Sequence, residues 1–76
     1  MSFTRYHVTT IDELRTAIEG VPDEMKVEKA DGVSIPAITV RELRALRSFP
    51  IGHAKLVIVV PRERDPESVV KIELVD

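Results

Sequence analysis

Cysteine is absent, so no disulfide can staple the fold. Thiolate chemistry, cysteine-ligated zinc and iron–sulfur sites are excluded with it. Tryptophan is absent too. Phe3, Tyr6 and Phe49 are the only aromatic residues, so the core has to be built from Val, Ile and Leu. Three glycines, Gly20, Gly32 and Gly52, stand far apart and form no loop that could cradle a phosphate. The longest apolar run is 56–60, too short to cross a bilayer. The start, Met1-Ser2-Phe3-Thr4-Arg5, lacks the apolar stretch of a signal peptide. These features predict a cytoplasmic protein with no membrane partner. The net charge is −2, with both signs well mixed, which gives solubility without the strong positive field of a nucleic-acid binder.

A chain of 76 residues has room for one domain, 1–76. Its stability should be modest, and a partner or a second copy would add to it.

Residues 3–8 read as a strand, because Thr, Tyr and Val favour the pleated backbone. Residues 11–20 read as a helix. Thr10 and Glu13 have capping-box spacing, and Ile11, Leu14, Ala17, Ile18 and Val21 recur on one face. Gly20 sits where a C-terminal cap is expected, and Pro22 forbids continuation. Residues 25–30 alternate apolar and charged, the pattern of a half-buried strand. Asp31-Gly32 predicts a tight turn that folds 33–38 back as a hairpin partner. Pro36 makes that partner an edge or an interrupted strand.

Residues 40–48 read as a second helix, with Thr39 and Glu42 again at capping-box spacing and Ile38 and Leu43 at staple positions. Leu43, Leu46 and Phe49 form a narrow apolar stripe, and Pro50 and Gly52 end the element. Residues 55–60 are apolar on both alternating faces, as in a central strand covered on both sides. Pro61 stops it. A last strand, 69–75, points Val70, Ile72 and Leu74 inward and pairs as a hairpin with the strand before it.

The two helical units echo each other at an offset of 29 residues. Thr10, Glu13, Leu14 and Arg15 match Thr39, Glu42, Leu43 and Arg44. The echo is either a structural repeat or two local solutions to capping a helix. The expected fold is α+β: a βαββαβ order with an added C-terminal strand, the ferredoxin-like arrangement, two helices packed on one face of a mostly antiparallel sheet.

Catalytic constellations are missing. His7 and His53 are the only histidines and show no metal-ligand spacing. Ser2, Ser34, Ser48 and Ser68 lie in no nucleophile-elbow context. The carboxylates read as solvated face residues and caps, such as Glu13 and Glu42. The expectation is a non-enzyme without metal or cofactor. Arg41, Arg44 and Arg47 recur every third residue on the second helix, opposite its apolar stripe. They are the candidate partner- or anion-binding residues, since arginine captures carboxylate and phosphate bidentately. An ordinary solvated helix face is the plainer reading. The charged loop 62–67 and any open sheet edge are further surfaces, the latter suited to a homodimer.

Glu13-Leu14, Ile18, Val21-Pro22, Asp23 and Val27, followed by Asp31-Gly32, resemble a helix-to-strand pattern of small uncharacterised phage and bacterial accessory proteins: E-L-x-x-x-(I/L)-x-x-(V/L)-P-x-x-x-x-V. The resemblance spans residues 10–32. It implies a phage or mobile-element accessory protein that works by occluding a host protein, an anti-CRISPR type of inhibitor being one example. It carries over no functional residues. Together these readings predict a protein-binding module, with an anion- or nucleic-acid-binding domain as the alternative.

Overall fold

The computed structural model describes residues 2–47, 55–63 and 67–75. Its elements run β1 (Phe3–Val8), α1 (Ile11–Ala17), β2 (Lys26–Lys29), α2 (Val40–Ala45), β3 (Leu56–Pro61) and β4 (Val69–Leu74). The strands form one sheet in the order β1-β3-β4-β2. β3 is antiparallel to both β1 and β4, while β2 runs parallel to β4. β1 and β2 therefore run the same way at opposite edges, with two strands between them, which is a split βαβ unit.

Register sorts the side chains by face. Val8, Leu56 and Leu74 align across the sheet, as do Tyr6, Ile58 and Ile72. This face meets both helices: Leu14, Ala17 and Ile18 of the α1 region, and Val40 and Leu43 of α2, share one core cluster with Val8, Leu56, Ile58, Val60, Val70 and Ile72. The class is thus α+β, with two helices on one face of a mostly antiparallel sheet. The β3–β4 hairpin forms as expected, although Leu74 at its end is exposed.

α1 begins as its sequence dictates. The Glu13 N–H donates to Thr10 Oγ1 at 3.2 Å, and the Thr10 N–H donates to Glu13 Oε1 at 3.1 Å, closing the capping box. The helix is shorter than 11–20 because its last turn tightens, with the Glu19 N–H reaching back only to the Thr16 carbonyl. Gly20 then takes a φ of +81°, the left-handed value a C-terminal cap demands.

α2 differs from expectation in three ways. No side-chain cap bond forms at Thr39. The Val40 and Arg41 N–H groups donate instead to the Met25 and Asp23 carbonyls at 2.9 and 3.1 Å, so tertiary partners satisfy the amides that a cap would serve. Ile38 is 65% exposed, so no hydrophobic staple forms. The helix ends at Ala45, because Leu46 turns extended and its carbonyl accepts from Arg15 Nη2 at 2.6 Å. The expectations for Ser48, Phe49, Pro50, Gly52, His53 and loop positions 64–66 lie outside the described residues.

Residues 33–38 are not a strand. The Asp31-Gly32 turn closes through the Val33 N–H and the Ala30 carbonyl at 3.2 Å, with Gly32 at a φ of +89°. The chain then runs back beside β2, but makes only an isolated bridge, Lys26 to Thr39. Pro36 accounts for this. It lacks an N–H, and the Ala37 N–H folds back to the Ile35 carbonyl at 2.8 Å in a γ-turn around it. The observed order is therefore β-α-β-α-β-β. The two echoing units share the extended backbone of their N-cap threonines but neither the strand pairing nor the cap bond, so their similarity is confined to the helix start.

Candidate functional site

The three arginines do not share one helix face: Arg41 and Arg44 lie on α2, whereas Arg47 follows its end at Ala45, beyond the extended Leu46. Arg44 reaches across to α1. Its Nη2 donates to the Ile18 carbonyl at 2.9 Å and to the Val21 carbonyl, while Nη1 pairs with Asp23. Carbonyls at a helix end lack intrahelical partners, so this guanidinium finishes α1. Arg41 is exposed and faces the carboxylates of Asp23 at 4.0 Å and Glu24 at 3.6 Å. Arg47 is exposed. This surface therefore carries its own counter-charges, and an anion approaching it competes with Asp23 and Glu24.

His7 is exposed on β1, aligned with Val57. Among the described residues, no group of three or more His, Asp or Glu side chains gathers as a metal site would require. Ser2 and Ser68 both line a hollow elsewhere on the molecule.

That hollow is the sheet face turned away from the helices. The alternation that points Leu56, Ile58 and Val60 into the core points Val57, Val59 and Pro61 to the other side. Val57 and Val59 are only 7% and 8% exposed, yet neither belongs to the helix-side core cluster. Among the described residues, long charged side chains stand beside them. Register puts Arg5 beside Val59 on one flank of β3 and Glu73 beside Val57 on the other. Arg5 Nη2 meets Glu73 Oε1 at 2.6 Å, so the ion pair arches over the strand. Lys71 stands beside Val59 and is aligned with Glu28 of β2.

The result is a groove of about 500 Å³ with an apolar floor that includes Phe3, Val59, Pro61 and Val69. Its charged lining is Arg5 and Lys71 against Glu28, Glu63, Glu67 and Glu73. Arg5 and Lys71 each have a carboxylate neighbour, and Glu63 and Glu67 are two further carboxylates of the lining, at the β3–β4 loop end. Phe3 contributes a ring that is 50% exposed.

Sequence reading did not place this groove. The run 55–60, apolar on both faces, predicts a central strand covered on both sides, and β3 is central and buried on both faces; what covers the second face is not written in that run. With two helices on the same side, the second apolar stripe is left beside ion-paired side chains.

The one clearly displaced ionisation lies elsewhere. Glu13 is held below the usual carboxylate range, first by the Thr9 hydroxyl and amide and then by those of Thr10, all bonding to its charged form. This is cap chemistry, not catalytic tuning.

Comparison with protein families, with curated proteins and with solved structures gives no significant match.

Proposed function

We propose that this chain is a non-enzymatic protein-binding module that engages its partner with the helix-free face of its sheet. The observation that carries the reading is the groove over β3. It combines an aliphatic floor and a half-exposed phenylalanine with an ion-paired rim. An apolar centre with a polar margin is the composition of a protein interface. The partner this face fits presents apolar side chains to Phe3, Val59 and Val69, and lysine or arginine to Glu63 and Glu67. Occlusion of a host protein's surface, in the phage setting that the resemblance implies, is the corresponding mode of action. The arginine surface ranks second, because Arg44 is engaged by α1 and Arg41 by acidic neighbours.

The test is retention of the partner from lysate of cells that carry the protein. It compares wild type with Glu63→Lys/Glu67→Lys and with Arg41→Glu/Arg47→Glu. The reading expects the glutamate reversal to lose the partner by at least about tenfold and the arginine reversal to keep it, since unlike charges across an interface become like ones only in the first case. Loss confined to the arginine reversal would favour an anion-binding surface instead.

A further inference from the structure

The two edges of the sheet are finished differently. Residues 33–39 run along the outer side of β2. The Val27 N–H donates to the Ile38 carbonyl at 2.8 Å, Lys26 bridges Thr39, and Lys29 Nζ reaches the Ile35 carbonyl at 2.6 Å. β1 has no such cover among the described residues.

The Arg62 N–H donates to the Ser2 carbonyl at 3.0 Å, which fixes the phase of the β1–β3 ladder. Ser2, Thr4, Tyr6 and Val8 turn their backbone groups toward β3. Phe3, Arg5 and His7 turn theirs out of the sheet. β1 holds no proline, lysine or bulge, and its register with β3 is unbroken from Phe3 to Val8. Those are the usual devices against edge pairing. Phe3 and Tyr6, two of the large apolar side chains left exposed, both lie on this strand.

We propose that β1 pairs antiparallel with β1 of a second copy, about a two-fold axis through Tyr6, joining the two sheets into one. The axis follows from charge and shape. Outward-turned residues must meet one another, so the axis passes through Thr4, Arg5 or Tyr6. At Arg5 it sets two guanidinium groups opposite each other, which is unfavourable. At Thr4 it gathers two Arg62 side chains, each with Nε 3.4 Å from a Thr4 hydroxyl.

At Tyr6 the two phenol rings meet as a cross-strand pair on the helix side. Beside them lies a hollow of about 290 Å³, walled by Tyr6, Val8, Asp12, Thr16 and Ala17 between β1 and α1. It receives the Tyr6 ring of the second copy. The same register sets Thr4 opposite Val8 of the second copy and carries Arg62 toward that copy's Asp12 and Glu13, so opposite charges face each other. Each Arg5–His7 pair exchanges two backbone hydrogen bonds. The Tyr6 rings meet on the sheet face opposite the groove, and Arg5, which lines the groove, joins the new ladder through its backbone.

The full chain, free of cysteine, suits single-cysteine probes. Sedimentation equilibrium of wild type should show a monomer–dimer equilibrium. Tyr6 faces its own copy at a non-hydrogen-bonded position, where Cα atoms lie about 4.5 Å apart, within disulfide range. Tyr6→Cys should therefore oxidise to a covalent dimer at least tenfold faster than Thr4→Cys. His7→Pro removes an outward N–H while leaving the β1–β3 ladder intact. It should keep the far-UV spectrum and weaken the dimer about thirty-fold, two backbone bonds being lost by symmetry. A chain that stays monomeric to about 1 mM overturns the proposal. So does faster cross-linking through Thr4→Cys, or a folded His7→Pro that dimerises like wild type.

Discussion

Arg44 and Arg47 stand three residues apart on either side of the end of α2, have the same chemistry and have different surroundings. Arg44 binds two carbonyls from the end of α1 and the Asp23 carboxylate. Its side chain is 34% exposed, so water screens part of that interaction. Arg44→Ala is expected to lower unfolding stability by about 1–2 kcal/mol, chiefly because the carbonyls lose a charged donor. Arg44→Lys should recover only part, since an ammonium lacks the planar fork that spans several acceptors. Arg47→Ala should stay within about 0.5 kcal/mol, as surface substitutions do. Urea denaturation of the three variants checks this, and equal losses at 44 and 47 would contradict it. The helical position of Arg44 was legible in the sequence, but that of Arg47 was not, because Leu46 turns extended and ends the helix first. That Arg44 serves α1 was not, because its acceptors lie more than twenty residues away.

α1 and α2 are seven and six residues long, too short to persist alone in water. Each leans on its ends and its packed face, and the two ends differ. Thr10→Ala removes a real cap and should cost about 1 kcal/mol; Thr39→Ala should cost clearly less, because Thr39 makes no cap bond.

The α1 cap is also acid-sensitive. Glu13 is depressed in the folded chain, so the unfolded chain binds its proton more readily. The stabilisation it provides is complete above the ordinary glutamate range, about 4.3, and drains away as pH falls through the lower folded value. Glu13→Gln should flatten the stability profile across that acid window. A profile as steep as that of wild type would show that the carboxylate is not what the cap uses.

At this scale the legibility of the sequence divides cleanly. α1 was readable because Thr10, Glu13 and Gly20 solve local problems with local groups. The α2 cap misread because Met25 and Asp23 supply carbonyls that no local pattern announces. The 33–38 segment misread because a γ-turn at Pro36 left no run of residues free to pair.

Over the whole molecule, the topology decides what remains for function. Putting both helices on one face gives the aliphatic residues a single core. The other face is left with Val57 and Val59 beneath an arch of Arg5 and Glu73. Such an exposed ion pair is worth little by itself, so displacing it for a partner's side chains costs little. The class of fold was legible from the order of patterns, whereas the working face depended on which side both helices took. The same topology leaves β1 as the uncovered edge among the described residues, beside the groove but not across it.

The most direct test of this account is a chemical-shift footprint of the labelled protein titrated with the purified partner. The account predicts that perturbations concentrate on Phe3, Arg5, Val59, Val69 and Lys71, and spare Arg41 and Arg47. A footprint centred on α2, with the sheet face unmoved, would contradict it.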